Sequence, residues 1–153
     1  MEFKAKRPVL IRIQPQYVKD IKSGKKKEEY RSLEFVDCNC FILHQTLENQ
    51  GIAAVIEIDA PIPEIDNGKI LYKYPILRVF DFGKNTIPIE TAFDNTPIRR
   101  RFSPAYQSIA YLRESNLKCW TPESEASAAE AVRILLDAHE HTVKTIPHKK
   151  KTN

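Results

Sequence analysis

Long apolar runs are missing from this sequence. No stretch approaches the roughly 20 consecutive apolar residues of a membrane-spanning helix, and the opening Met-Glu-Phe-Lys-Ala-Lys-Arg-Pro has no apolar core behind its positive charges. We therefore expect neither a membrane protein nor an exported one. Hydrophobic residues make up 42% and charged residues 29% of the 153 residues, as is typical of a soluble globular protein.

Cysteine is also scarce, and its spacing argues against a metal site. Cys38, Cys40 and Cys119 form no even disulfide framework, and the Cys-x-Cys pair lacks the second ligand pair of a structural zinc site. His139 and His141 are two residues apart, which does not place both imidazoles on one helical face. We predict buried cysteines of ordinary packing, no metal, no cofactor and a cytoplasmic location.

The positive charge is unevenly distributed along the chain. Residues 1–31 hold ten Lys and Arg against four Asp and Glu, while the other 122 residues are slightly acidic. A localised basic face favours a polyanionic partner such as nucleic acid. The length suits one domain, which we place at residues 1–147, and the basic residues 148–153 are expected to be a disordered tail.

The amino-terminal region has clear secondary-structure signals. Residues 9–13, Val-Leu-Ile-Arg-Ile, are typical of a strand, and Pro15 suits the first position of a helix. Tyr17, Val18 and Ile21 recur at helical spacing, and Gly24 stands where a left-handed residue would end that helix.

Further elements are expected along the rest of the chain. Two strands, 40–44 and 52–58, are predicted to pair, and Asp66-Asn67-Gly68-Lys69 predicts a turn before an extended stretch at 70–82 that is either one bent strand or two short ones. In residues 83–97 the apolar residues recur at no regular spacing, so an irregular segment is expected. Helices are predicted at 103–115 and from 121 to about 143, with a short strand at 117–120 between them; the second helix would carry an apolar stripe of Ala129, Val132, Leu136 and Val143.

Residues 25–31 read Lys-Lys-Lys-Glu-Glu-Tyr-Arg and follow the first strand and helix. Together with Gly24, they resemble the Gly-x-Lys-x-x-Glu-x-Arg signature of the ASCH group of PUA-like domains, and Gly24, Lys26, Glu29 and Arg31 match its four defined positions. The resemblance implies an α+β fold, a small PUA-like β-barrel with flanking helices. It also implies a cleft lined by Lys26, Glu29 and Arg31 that binds RNA or a nucleotide.

The chemistry of this segment agrees with such a cleft. An acidic residue between two cations orients the arginine, whose planar donors suit phosphate or a base edge. In an extended chain Lys27, Glu29 and Arg31 share one face and Lys26 lies on the other, so convergence on Glu29 predicts a turn or bulge around residues 26–28. The alternative is an exposed edge strand that its charges keep soluble.

A second basic patch follows later in the chain. Arg99, Arg100 and Arg101 are interleaved with aromatic residues that include Tyr106, a combination that suits RNA phosphates and unstacked bases. We assign nucleic-acid binding to both basic patches. The predicted residues are Lys25, Lys26, Lys27, Glu29, Arg31, Arg99, Arg100, Arg101 and Tyr106.

Two other functions stay open. One is a hydrolase acting on RNA or a modified nucleoside, with Lys26 and Glu29 as its catalytic residues, because one branch of the family resembled here is described as deacetylating N4-acetylcytidine with a lysine, a threonine and a glutamate. Lys26 matches that lysine, but Glu29 stands where the threonine would be, and Glu57 is a possible second carboxylate. The other is an adaptor that binds an acidic peptide; no protein partner is assigned.

Overall fold

Strands of one mixed sheet and three helices make up the described chain. The computed structural model describes residues 3–94 and 122–149. The strands are β1 Val9–Ile13, β2 Glu28–Arg31, β3 Cys40–Gln45, β4 Gly51–Ile58, β5 Ile62–Asp66, β6 Lys69–Asp81 and β7 Thr142–Thr145; the helices are α1 Pro15–Ser23, α2 Ile89–Ala92 and α3 Pro122–Ala138. None of the helices in these two ranges is long and apolar enough to traverse a bilayer.

Over the described residues the sheet has seven strands, which confirms the predicted α+β class. Its order is β1-β3-β4-β6-β2, and β5 and β7 each pair with β6 as well. Among the strand pairs in residues 3–94 and 122–149, β1 and β3 run parallel and the others are antiparallel. No pairing between described strands joins β1 to β2, so the sheet is open, barrel-like at most.

Strand β6 changes partners halfway along its 13 residues. Its first half pairs with β2 and β5, and its second half pairs with β4 and β7. The change occurs at Pro75–Leu77, where the register against β4 shifts between Glu57 and Ile58. Pro75 has no backbone N–H to donate to a neighbouring strand. A shift in register bends a strand, so the bend of β6 occurs at these residues. Of the two predicted forms, the single bent strand is the one observed.

Two hydrophobic clusters lie on opposite faces of the sheet. Leu10, Ile42, Val55 and Phe80 pack with α3 in one cluster. The neighbouring strand residues pack with α1 in the other: Val9, Ile11, Phe41 and Ile56. This division follows from the alternation of side chains along a strand. Burying one such side chain contributes roughly 1.5–3 kcal/mol, so both helices are held mainly by packing.

Most predicted elements of the described chain are confirmed. The structure contains the first strand, the helix Pro15–Ser23 with left-handed Gly24 after it, and the paired strands β3 and β4. The turn at residues 66–69 is also present, with Asn67 and Gly68 both at positive φ. The predictions for residues 103–115 and 117–120 lie outside the described residues.

Three regions differ from the predictions. The last helix ends at Ala138 rather than near residue 143, and Val143 belongs to strand β7, where its side chain is 53% exposed. The β-branched residues of Thr142–Thr145 pair with β6, and this pairing competes successfully with helix formation. Residues 62–66 form a strand despite Pro61 and Pro63, and 89–92 form a short helix in a region predicted to be irregular.

Both cysteines of the described chain are buried and free. Burial raises the pKa of the Cys38 thiol to about 12 and that of Cys40 well above its usual value. A protonated, buried thiol is a poor nucleophile and a poor metal ligand. Cys38 and Cys40 therefore act as packing residues, as predicted.

Two glycines with positive φ differ in the space around them. At Gly51 (φ 144) an added Cβ would lie 2.6 Å from the carbonyl oxygen of Ile87, whereas at Gly24 (φ 83) the nearest atom would be Lys144 Nζ at 3.7 Å. We expect Gly24→Ala to lose roughly 1–2 kcal/mol from backbone strain alone, and Gly51→Ala to lose more because a clash is added. Urea unfolding of both variants measures this difference.

Gly68→Ala is the matched control for Gly51→Ala, since Gly68 has φ 76 and no atom within 4 Å of the added Cβ. Equal losses of stability at Gly51 and Gly68 would contradict the close approach of Ile87.

Candidate functional site

The segment that carries the signature begins at the end of α1. Gly24 adopts a left-handed conformation and its amide donates to the carbonyl of Ile21. Lys144 of β7 supports the same helix end, because its Nζ donates to the carbonyl oxygens of Lys22 (3.4 Å) and Ser23 (3.0 Å). A cation at this end also interacts favourably with the helix dipole.

The chain then turns into β2. The turn occupies Gly24 and Lys25, and the amide of Lys26 donates back to the carbonyl of Asp20 at 2.9 Å. The carbonyl of Lys27 accepts from the amide of Ile76 at 2.8 Å, which joins the segment to β6. A turn or bulge is predicted around residues 26–28, and the observed turn comes just before these residues.

Glu29 is the centre of the site, and its side chain is only 8% exposed. Lys26 Nζ lies 3.8 Å and Arg31 Nε 3.9 Å from its Oε1, which also accepts a hydrogen bond from the amide of Tyr30 at 3.1 Å. The structure therefore brings three of the predicted residues together, and we call Lys26, Glu29 and Arg31 the Glu29 cluster.

The carboxylate of Glu29 has acceptor capacity left over. Its Oε2 is buried and has no hydrogen-bond partner among the described residues. Both ion pairs are close to the 4 Å limit for direct contact, so neither cation saturates the carboxylate. Leaving a buried polar atom unsatisfied costs about 1–3 kcal/mol. Unsatisfied buried polar atoms of this kind are explained in native proteins by strain, by a catalytic role, or by a water or ion at the atom.

The neighbouring strand fixes the position of Glu29. Tyr74 of β6 directly opposes Glu29 in the β2–β6 register and is fully buried. Its hydroxyl donates to the carbonyl of Leu33 (2.7 Å) and accepts from the amide of Phe35 (2.8 Å), which anchors the loop after β2. Burial raises the pKa of Tyr74 to about 12, so this anchor stays protonated.

Arg31 is oriented by a second contact. One of its terminal guanidinium nitrogens donates to the carbonyl oxygen of Arg12 in β1 at 3.2 Å. The guanidinium is thus held between Glu29 and a neighbouring strand, with the Arg31 side chain still 20% exposed. A fixed guanidinium presents its remaining donors in a defined plane.

Two tyrosine rings that the sequence pattern did not predict in the site flank Lys26. Lys26 Nζ lies 5.3 Å from the ring centroid of Tyr17 and 5.9 Å from that of Tyr30. Tyr17 occurs at the helical spacing of the apolar positions of α1, yet the residue is 44% exposed. The signal was its place beside buried Val18, since adjacent helix residues do not share a face.

Other predicted residues are placed differently. Lys25 and Lys27 are exposed on either side of Lys26. Arg99, Arg100, Arg101 and Tyr106 lie outside the described residues.

Glu57 does not join the Glu29 cluster. Its Oε1 accepts a hydrogen bond from Arg78 Nε at 2.6 Å. Glu57 and Arg78 are paired in the β4–β6 register, and they lie on the same sheet face as Val55 and Phe80, the face that packs against α3. Glu29 opposes Tyr74, which packs on the α1 face. The suggestion that Glu57 is the second carboxylate is therefore wrong.

The histidines after α3 pack against aromatic rings. His141 makes edge contacts with Phe80 and Phe82, and His139 makes one with Phe82. Within residues 3–94 and 122–149, no group of three His, Cys, Asp or Glu side chains is arranged to hold a metal ion.

Comparison with known proteins gives distant matches in structure alone. No protein-family model and no curated protein matches this sequence. The fold is similar to crystal structures of an ASCH protein from Zymomonas mobilis. One point mutant of that protein has a TM-score of 0.45 and 13% identity, covering 70% of this chain and 99% of its own.

The Zymomonas mobilis protein without a substitution gives similar values. Its TM-score is 0.44 and its identity 13%, over 69% of this chain and 95% of its own. A likeness this distant carries no argument about family or function. The family resemblance of Gly24, Lys26, Glu29 and Arg31 stays a prediction.

The Glu29 cluster yields a stability prediction. Glu29→Gln removes a negative charge that lies between two partly buried cations, so we expect a loss of about 1–3 kcal/mol in the free energy of unfolding. Lys26→Gln should cost less than about 1 kcal/mol, because its side chain is 23% exposed and water replaces the ion pair. Chemical unfolding of both variants compares the two losses; a smaller loss for Glu29→Gln would contradict the central role of the carboxylate.

Proposed function

We propose that this protein binds RNA or a nucleotide at the Glu29 cluster. The observation that supports this proposal is that two partly exposed cations converge on one buried carboxylate. They leave one of its oxygens without a hydrogen bond. A carboxylate that oriented its cations only for stability would be expected to accept full hydrogen bonds from them. Here the Lys26 ammonium, whose side chain is 23% exposed, can contact a further anionic partner.

Charge around the cluster supports an anionic ligand. Residues 25–31 contain four cationic and two acidic side chains, and Lys25 and Lys27 are exposed. A local positive excess raises the concentration of a polyanion near the site and increases its rate of association. An oriented guanidinium beside an ammonium is well suited to binding a phosphate group.

The family resemblance supports nucleic acid among the possible polyanions. The signature positions Gly24, Lys26, Glu29 and Arg31 are the residues that form the turn and the cluster. The proposal extends to Arg99, Arg100, Arg101 and Tyr106 as further RNA contacts, to one domain over residues 1–147, and to action in the cytoplasm.

A hydrolase at the same place is the alternative, with Lys26 and Glu29 as its catalytic residues. The observation in its favour is the unfilled Oε2 of Glu29 beside the Lys26 ammonium, since a general base needs a free oxygen. Release of acetate from N4-acetylcytidine, lost in Lys26→Ala, would favour this activity. Retention of RNA without turnover would favour the binding module.

The binding proposal predicts a change in salt dependence. Lys26→Ala/Arg31→Ala should bind single-stranded RNA at least about tenfold more weakly, because two charge-assisted contacts are removed. The slope of log K against log salt should fall by about 1.4, since each neutralised phosphate of a single strand contributes about 0.7. Fluorescence anisotropy over a series of salt concentrations measures both quantities.

Lys4→Ala/Arg133→Ala is the matched control, because it removes the same charge from a cavity of about 530 Å³ between the amino-terminal segment and α3. It should leave the slope unchanged. Equal slopes of log K against log salt for wild type and Lys26→Ala/Arg31→Ala would contradict the proposal.

A further inference from the structure

The tip of the β5–β6 hairpin is a two-stranded ribbon that extends past β2. Strand β2 ends with Arg31 opposite Tyr72, whereas β5 and β6 stay paired as far as Asp66 and Lys69. Among the described strands, β5 pairs with β6 alone. A two-stranded ribbon is only marginally stable unless one of its faces packs against another surface. The tip therefore gains stability from a partner that covers one face.

One face of this ribbon is apolar. In an antiparallel pair, opposed residues share a face, and the faces alternate along each strand. Ile65 opposes Ile70 and Pro63 opposes Tyr72, so these four side chains form one surface, which we call the ribbon face. Ile65 is 81% exposed and Ile70 is 54% exposed, and Pro63 is exposed as well. Tyr72, at the base, packs partly against the core on the α1 side. The ribbon face thus continues that core outward into an uncovered apolar surface.

The charged residues of the ribbon lie on its other face. They occupy the alternate register positions: Glu64, Asp66, Lys69 and Lys73. Two acidic and two basic side chains sum to zero, whereas the whole chain carries a net charge of +4. Two copies of a positively charged protein repel each other least where neutral surfaces meet. The ribbon face is such a surface, because none of its four residues is charged.

We infer that the ribbon face packs against the ribbon face of a second copy of this chain. A two-fold axis beside the Ile65–Ile70 pair brings the isoleucines of one copy against those of the other, so that apolar surface meets apolar surface. The two ribbons then lie about 10 Å apart, as the sheets of a sandwich do.

The edge of β5 does not offer the same opportunity to a partner strand. Pro63 lies in the middle of Ile62–Asp66 and has no N–H to donate to an added strand. Proline on an edge strand is one of the devices that prevent such pairing. The partner therefore contacts the face of the ribbon and not its edge, which favours a folded copy over an extended peptide.

The area of the ribbon face sets the strength of this contact. Four side chains of this size expose on the order of 300 Å², about the largest apolar patch of a typical monomer. Each partner in a stable complex buries roughly 800 Å², so the ribbon face provides less than half of that area. The dimer is therefore reversible, with a dissociation constant on the order of 100 µM. It forms at high protein concentration and dissociates on dilution.

Sedimentation velocity of the full chain tests this inference, after nuclease treatment so that no RNA links two copies. Between about 10 and 500 µM, on either side of the expected dissociation constant, wild type should shift from monomer to dimer. Ile65→Thr/Ile70→Thr should raise the dissociation constant at least about tenfold, because the face loses two anchoring aliphatic side chains. Threonine keeps the branched Cβ that strands favour, and a thermal unfolding curve checks that the variant is folded.

Leu47→Thr/Val143→Thr is the matched control, because it removes two exposed aliphatic side chains away from the ribbon. It should dimerise like wild type. A further measurement needs no variant: added NaCl should leave the wild-type dimer as strong or make it stronger, since salt screens the repulsion between the copies. The inference is overturned by a wild type that stays monomeric, by a dimer that salt weakens, by a dimer that survives Ile65→Thr/Ile70→Thr, or by equal loss of the dimer in the control. RNA binding at the Glu29 cluster stands or falls separately.

Discussion

Strand β6 is the constraint on which the described architecture depends, because four other strands hydrogen-bond to it. A single straight strand has two edges, and four partners fit only because β6 bends and exchanges both neighbours at Pro75–Leu77. Pro75 contributes no donor there, and its carbonyl accepts from the amide of Asp59 at 2.9 Å. The amide of Ile76 turns instead to Lys27. The bend therefore satisfies its own backbone groups.

This bend divides the protein into a core half and a site half. Beyond Leu77, β6 lies between β4 and β7 and supports the packing of α3. Before Pro75, it pairs with the four-residue strand β2 and places Tyr74 opposite Glu29. The Glu29 cluster thus has Glu29 and Arg31 on this short strand and Lys26 just before it. Its unfilled acceptor is tolerated because the core half supplies most of the apolar burial.

Local patterns located the elements whose signals lie within a few residues. Pro15 and Gly24 marked the ends of α1, and Asn67-Gly68 marked the turn between β5 and β6. Signals that depend on distant partners were missed: Thr142–Thr145 is a strand only because β6 pairs with it. The resemblance at Lys26, Glu29 and Arg31 indicated a cluster, but Tyr17 reaches Lys26 only through the turn at Gly24. No local pattern reports that contact.

The bond from Lys144 to the end of α1 has a consequence for the order in which the protein is made. Lys144 is separated from Ser23 by 121 residues, and β7 is synthesised after α1 and β2. Contacts of this sequence separation form late, because a long loop must close first. In a nascent chain, residues 25–31 therefore exist before β6 and β7 are available to pair. Until β6 is made, Glu29 lacks the strand that opposes it.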